Sequence, residues 1–397
     1  MEAELKRTVT RALHRPPLDR PRRDGDHTLR YAFAPDVAWV AARYLRTPSR
    51  VLWELAHLKA RRLEPLFQEV KSLAAQPNAP WRASGLGISV VVARHGDFPA
   101  SPLQIRGTVK NALLEGSKAT DDPLTFAPED PDLIFLIRQS EQGLSLSIDL
   151  GAGSLHRRGY RKHIGPAPLK ETLAAQLLIL ARWDARSEAL VDPMAGAGTI
   201  VMEGALMATG EPLGRPSRVL ECLSMFRPFV HAEKTLFPGT KPVIIAGEPD
   251  TSSFAALVAN AKSAGLEPRL RCIQSDFSEL FTHEPLPEQG LIVVNPPYGE
   301  RMEVEDPKEA HSEHRTDRAK AKKPSAPDLR ESESSSKAIE KLYQKLLDWH
   351  AALGPNWRLG VLTTHGALDE LTSRPCRMKK PLRNGPLKAW FWLFDGQ

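Results

Sequence analysis

LVDPMAGAGTIVMEGA, residues 190–205, runs from a short apolar strand through a glycine-rich turn into a helix. Ala189-Leu190-Val191 has the all-apolar pattern of a buried parallel strand, and Asp192-Pro193 ends it. Gly196 and Gly198 permit positive φ and a close approach of the backbone to a ligand. Thr199 is placed to cap a helix running through Met207. The turn therefore offers unpaired N–H groups at the carboxyl edge of a sheet, where open α/β folds bind nucleotide-like ligands. A phosphate-binding dinucleotide loop asks for a third glycine where Val201 stands, and no Gly-Lys-Ser/Thr is present. A nicotinamide oxidoreductase is accordingly disfavoured.

Further strand ends supply the remaining groups. Val243–Ala246 reads as a second strand, ended by Gly247-Glu248-Pro249-Asp250, where an acid is placed to take both hydroxyls of a ribose. A helix over Ser252–Ala264 and a third strand over Arg269–Gln274 follow, then Ser275-Asp276-Phe277. Asp276 is an acceptor for an adenine amino group, and Phe277 a ring to pack on it. Each has a plainer alternative, with Glu248, Asp250 and Asp276 as helix caps and Phe277 as core. Their order after the glycine loop favours the ligand.

LIVVNPPYGER, residues 291–301, is another buried strand, ending in Asn-Pro-Pro-Tyr. Pro296 and Pro297 fix the backbone and remove two donors, leaving carbonyls as acceptors. Asn295 Oδ1 and the Pro296 carbonyl are suited to grip the two hydrogens of an exocyclic amine and to turn its lone pair toward a methyl donor. Tyr298 is suited to stack on the base, which must be extruded or unpaired to reach it. Catalysis of this kind is mostly positioning and directed dipoles. The alternative is a rigid turn with Tyr298 as packing.

With these motifs in hand, the sequence resembles the THUMP-domain class I S-adenosylmethionine-dependent RNA methyltransferases that act on guanine N2, similar to the 23S rRNA guanine-N2 family. LHRRGYR (155–161) followed by APLKETLAA (167–175) resembles that family's entry into its catalytic domain, and Asn384-Gly385-Pro386-Leu387 matches near the C-terminus. The resemblance covers roughly residues 35 to 395. It implies S-adenosyl-L-methionine as cofactor, with Pro168, Asp192, Pro193, Gly196, Gly198, Thr199, Glu248, Asp276 and Phe277 around it. It implies Asn295, Pro296, Pro297 and Tyr298 around the target base. Glu248 stands where the family more often has aspartate. The segment RYLRTPSRVLWELAHLKARR, from Arg43 to Arg62, matches the start of the THUMP region, and Arg43, Arg46 and Arg50 become candidate phosphate contacts. Family members commonly carry a ferredoxin-like segment ahead of THUMP, and its first half is not recognisable here.

The composition suits a polyanionic partner. The 397 residues carry a net charge of +6, which favours RNA without naming it. Cys222, Cys272 and Cys376 lack metal or disulfide spacing, so no metal is expected and a reducing cytoplasm is. No apolar run is long enough to cross a membrane, and no secretory leader is recognisable.

The expected fold class is α/β: a doubly wound, Rossmann-like class I methyltransferase with a C-terminal antiparallel hairpin, preceded by an α+β THUMP-type RNA-binding region. Residues 1–28 read as a flexible basic segment, 29–154 as the RNA-binding region, and 155–397 as the methyltransferase domain with a disordered insert at 303–337. Within 29–154, a helical pattern from Val37 to Leu73 is broken near Pro48. Gly87–Arg94 reads as a strand, Gln104–Leu114 as a helix, and Leu133–Gln139 and Leu144–Leu150 as paired strands. Beyond the insert, Ile339, Leu342, Leu346 and Leu353 form a helical stripe, Leu359–Leu362 a strand, and Pro381–Phe394 a hairpin around Asn384-Gly385. Arg157, Arg158, Arg161, Lys162 and His163 cluster at the domain junction as candidate RNA contacts. The resemblance implies ribosomal RNA of the large subunit as the favoured substrate. Transfer RNA, DNA adenine N6 and a non-enzymatic RNA-binding assembly factor remain as alternatives.

Overall fold

The computed structural model describes residues 1–17, 19–24, 28–77, 79, 81, 85–94, 96–140, 143–151, 153–163, 169–214, 216–230, 233–283, 285, 287–296, 329–364, 368, 371–372, 374–384 and 387–397. Two compact units divide the chain: Met1–Gly159 with Thr209–Gly239, and Tyr160–Ala208 with Thr240–Gln397.

The first unit opens on helix Glu2–Leu13, a ribbon of β1 (Arg22–Asp24) and β2 (Thr28–Arg30), and helix Pro35–Tyr44. Its main sheet contains β3 (Leu52–Leu58), β4 (Gly87–Arg94), β5 (Thr125–Phe126), β6 (Leu133–Ser140) and β7 (Gly143–Asp149), in the order β3-β7-β6-β4-β5. β7 runs antiparallel to β3 and β6, while β4 is parallel to β6 and β5. Alternate residues Ile88, Val90, Phe135, Ile137, Leu146 and Ile148 face one core. Helices Leu63–Ala74 and Pro102–Ser117 add Leu66, Val70, Ile105 and Val109 to it. The second helix starts at a reciprocal cap: Ser101 Oγ accepts from Gln104 N at 3.3 Å, and Gln104 Oε1 accepts from Ser101 N at 2.9 Å.

Three expectations change here. The N-terminal segment is no flexible arm over its first turns. Leu5 and Val9 are buried, and the buried Glu4 carboxylate accepts from Arg46 N at 2.7 Å and Thr47 N at 3.3 Å. The broken helix over Val37–Leu73 is a helix, a strand and a helix, because residues 52–58 pair with β7 from Leu52–Asp149 to Leu58–Leu144. A bulge between Glu54 and Ala56 disturbs the alternation that would have marked β3 as a strand. Finally, Thr209–Gly239 leaves the methyltransferase range: Val219, Leu220, Leu223, Phe226 and Leu236 belong to the first unit's core.

The second unit is built on β8 (Ala189–Asp192), β9 (Ile244–Gly247), β10 (Arg271–Ile273), β11 (Gly290–Val294), β12 (Trp357–Thr363), β13 (Cys376–Asn384) and β14 (Leu387–Phe394). They form one sheet in the order β10-β9-β8-β11-β12-β14-β13. The first five in that order are parallel, and β14 joins antiparallel to β12 and β13. All five residues of β11 are buried, as a strand covered on both faces requires. One face packs on helices Glu171–Leu180, Thr199–Thr209 and Thr251–Ser263, the other on helix Leu329–Ala352. That last helix begins eight residues before the expected end of the insert at 337; residues 303–328 of the insert lie outside the described residues. The chain winds outward from β8 through β9 to β10, then returns to β11 on the other side. β8 and β11 therefore flank the switch point at which open α/β sheets bind ligands, at the carboxyl ends of their strands.

Candidate active site

The glycine loop is laced to the end of the neighbouring strand. Ala195 N donates to the Gly247 carbonyl at 2.9 Å, Gly196 N to Glu248 Oε2 at 2.8 Å, and Gly198 N to the Ala195 carbonyl at 2.8 Å. Gly196 and Gly198 take φ of 52° and 85°, the left-handed region expected of them. Among the described residues a Cβ on Gly196 would meet nothing within 4 Å, so they leave open space on that side of the loop. At Gly198 a second reason for glycine joins the positive φ, because a Cβ would overlap Leu257 and come within 2.8 Å of Met202 Cε.

Asp192, the last residue of β8, is 2 % exposed. Burial, with the Glu248 charge adding to it and the Met194 N–H opposing, pushes its carboxyl up to about 8. Pro193 beside it is buried. Glu248 is buried just past β9, and its Oε1 accepts from Asp250 N at 3.0 Å. Each of its oxygens keeps a further lone pair for a ligand. Asp250 caps helix Thr251–Ser263 through Ser253 N at 2.7 Å, as the plainer reading had it.

Asp276 caps the short turn after β10, with its Oδ1 accepting from Ser278 N and Lys345 Nζ, each at 3.0 Å. Burial pushes this carboxyl up, but the Ser278 hydrogen bonds and Lys345 outweigh it and hold it below the usual range. Next to it, Ser275 Oγ is buried with no hydrogen-bond partner among the described residues. Phe277 is core: it is 3 % exposed and meets Trp349 edge-on at 5.6 Å. The expectation that its ring packs on a bound base is corrected by that burial. Thr199 is the first residue of its helix, and its hydroxyl accepts from Arg161 Nη2 at 2.8 Å.

Asn295 is half-buried and Pro296 buried directly past β11, which pairs with β8 through Ile292–Val191. Asp192, Glu248, Asp276 and Asn295 thus stand at the carboxyl ends of four adjacent strands in the order β10-β9-β8-β11. Pro168, Pro297 and Tyr298 lie outside the described residues.

The arginines divide differently. Arg46 is 3 % exposed, and its guanidinium donates to the Glu211 carbonyl at 2.9 Å. Arg43 is buried against Glu233 and the Leu213 and Gly214 carbonyls. Arg50 pairs with buried Asp149, and Arg158 donates to the Leu155 and Arg46 carbonyls. Arg161 pairs with buried Glu171 at 3.3 Å besides holding Thr199. These side chains brace the fold, and burial takes Arg43 and Arg46 off any phosphate-binding surface. Arg157, Lys162 and His163 remain exposed.

Sequence reasoning missed Asn260, which is 1 % exposed on helix Thr251–Ser263. Its Oδ1 accepts from Lys162 N at 2.8 Å and His163 N at 3.0 Å, and its Nδ2 donates to the His163 and Ala197 carbonyls at 3.0 and 3.2 Å. It fastens the basic segment to the glycine loop. An amide in the apolar stripe, one turn from Leu257 and beside Ala261, was the available signal. Glu203, fully buried, accepts from Tyr160 Oη at 3.1 Å in the same way.

The strand order and the groups at its strand ends define a class I methyltransferase domain. Residues 158–321 match the family described as the RMKL-like methyltransferase domain, a match that runs through Thr209–Gly239 although those residues pack in the first unit. The ribosomal RNA large subunit methyltransferase K/L of Marinobacter nauticus is 31% identical over 380 residues, covering 90% of this chain and 47% of that protein. The chain spans about half the length of the curated relatives it matches. Among solved structures, a possible methylase from Clostridium difficile 630 superposes with a TM-score of 0.74 at 23% identity, covering 100% of this chain and 95% of that one. SMU.472, crystallised with SAH, does so with a TM-score of 0.70 at 24% identity over 91% and 88% of the two chains. These two likenesses are of fold.

Proposed function

We propose that this chain methylates the exocyclic N2 amine of a guanosine in large-subunit ribosomal RNA, using S-adenosylmethionine, and that it does so in the cytoplasm. The observation that carries the reading is the row of Asp276, Glu248, Asp192 and Asn295 across four adjacent strand ends, with the glycine loop between the middle two. The residues present fit the cofactor. Glu248 is held by two main-chain N–H groups with lone pairs to spare for ribose hydroxyls, and among the described residues Gly196 borders open space and Ser275 Oγ, on the adenine side, is buried without a hydrogen-bond partner. When bound, the cofactor supplies a methyl group activated by a sulfonium.

The protein's own part is positioning. Asp192 lies at the methionine end of the loop. Asn295 Oδ1 and the Pro296 carbonyl accept the two amine hydrogens and hold the nitrogen lone pair toward the donor, with Tyr298 stacking on the extruded base. No strong base is required when attack precedes proton loss. The first unit, with its mixed sheet and two covering helices, serves as a THUMP-type RNA-binding module. Arg157, Lys162 and His163 offer phosphate contacts.

Nucleoside mass spectrometry of ribosomal RNA from a deletion strain, treated with the purified chain and S-adenosylmethionine, tests this. The expected product is N2-methylguanosine at a mapped position of the large-subunit RNA. N6-methyladenosine, or transfer RNA as the only methylated species, overturns the substrate assignment. Absence of any methyl transfer overturns the enzyme.

A further inference from the structure

The β13–β14 hairpin carries five cationic residues, Arg377, Lys379, Lys380, Arg383 and Lys388, and no Asp or Glu within its two strands. Arg377 pairs with Asp395 at 2.9 Å. Lys380, Arg383 and Lys388 are exposed and make no ion pair among the described residues.

The register sorts the hairpin into faces. Lys379 opposes Trp392, Pro381 opposes Trp390, and Arg383 opposes Lys388, so these six side chains share one face. Trp390 is 40% exposed on it, a large aromatic left open in a strand whose next four residues are buried. Lys379 Nζ lies 5.1 Å from the Trp390 ring centroid and 4.3 Å from that of Trp392, steadying both rings from one side. The Pro381–Trp390 rung thus lies between the Lys379–Trp392 rung and the doubly cationic Arg383–Lys388 rung.

The hairpin also stands in a particular place. Trp390 pairs with Thr363, the last residue of β12, and Leu387, Lys388 and Ala389 continue past that rung, projecting roughly 10 Å beyond it. Val294 of β11 pairs with Val361 of β12. The Asn295-Pro296 end of β11 and the Thr363–Trp390 rung therefore lie at the same height of the sheet, two strands and roughly 10 Å apart.

We propose that this face of the hairpin holds the unpaired RNA strand beside the target nucleotide, with Trp390 stacking on a base and Arg383 and Lys388 contacting its phosphates. Uniform positive charge with an exposed ring between is what a single strand's phosphates and base faces complement. The inference rests on RNA being the substrate.

Fluorescence anisotropy of the full chain with a fluorescein-labelled single-stranded RNA of about 12 nucleotides, and with the matching duplex, tests it. Trp390→Ala is expected to weaken single-strand binding by roughly 10- to 100-fold, the size of a lost base–aromatic stack, with Trp390→Phe close to wild type. Arg383→Ala with Lys388→Ala is expected to weaken binding and lower the log–log salt slope by about 1.4, for two phosphates. Thermal melting checks that each variant is folded, and the Arg383→Ala with Lys388→Ala variant, with its salt slope, keeps the inference falsifiable should Trp390→Ala melt early.

Unchanged affinity in the folded variants overturns the inference. So does an equal loss on duplex, or no binding by the wild type. Binding through Trp390 without formation of N2-methylguanosine would fail the functional reading alone. Wild-type methyl transfer and affinity in Trp390→Ala would fail this inference alone.

Discussion

The Gly196 N–H donates to Glu248 Oε2 at 2.8 Å, while the main-chain N–H of Glu248 donates to the Ile273 carbonyl at 3.1 Å. One residue therefore ties the glycine loop to both β9 and β10. Glu248→Ala should raise the adenosylmethionine Kd at least about tenfold, since it frees the loop as well as removing the proposed ribose acceptors. Glu248→Gln, which keeps one acceptor oxygen, should fall between. Calorimetry reads both, and an unchanged Kd in the Ala variant would remove Glu248 from the site.

Asp192 gives a pH dependence with a definite sign. Its carboxyl is pushed up to about 8 in the folded chain, mainly by burial. The unfolded value is about 3.9. The folded state therefore binds the extra proton, and the stability linked to Asp192 is complete below about pH 4 and lost as the pH rises to about 8. Asp192→Asn cannot ionise and should lose less stability between about pH 5 and about pH 8 than the wild type does. Urea denaturation at the two pH values measures this, and parallel losses would mean that Asp192 is ionised throughout.

The two loop glycines should fail in different ways. A Cβ on Gly198 would overlap Leu257, which is fully buried, whereas one on Gly196 would meet nothing within 4 Å among the described residues. Gly198→Ala should cost about 1–3 kcal/mol from overpacking and depress the Tm. Gly196→Ala, facing open space at φ 52°, should cost about 1 kcal/mol and act chiefly on cofactor affinity. A larger Tm loss at Gly196 would reverse the assignment.

Asn295→Ala should leave adenosylmethionine affinity within a few fold while slowing single-turnover methylation about 100-fold, the loss expected for one positioned polar group at a reacting centre. A wild-type rate would dismiss the proposed grip on the amine.

Asn260→Ala leaves two main-chain N–H groups and two carbonyls without their partner. It should destabilise the chain by about 3 kcal/mol, with cofactor affinity falling alongside, because Ala197 lies within the loop. Chemical denaturation and calorimetry together check this. Stability and affinity both at wild-type values would show that the amide is dispensable.

Much of the second unit was legible because its signals are local. A short all-apolar run such as Leu291–Val294, closed by Asn-Pro-Pro, reads as a strand buried on both faces. Gly196 and Gly198 mark a turn by the φ they allow, and the residues just past each strand follow from where the strand stops. β8, β9, β10, β11, the intervening helices and the hairpin strands all fall where those patterns put them, within a residue or two for most and several residues early for the start of β13.

What the sequence left open depends on partners far along the chain. Residues 52–58 read as helix from local spacing, and only β7, nearly a hundred positions later, supplies the ladder that makes them a strand. Arg43, Arg46 and Arg161 read as phosphate ligands because a cation is solvated by default, yet Glu233, Glu211 and Glu171 or their carbonyls claim them in the folded chain. Thr209–Gly239 has neither helical nor strand periodicity strong enough to declare which core receives Phe226 and Leu236. Residue type and spacing therefore determined the strand ends and the loop, to which the proposed chemistry is assigned. Tertiary packing alone decided which charges remain on the surface to meet a substrate, because burial and pairing are properties of neighbours in space.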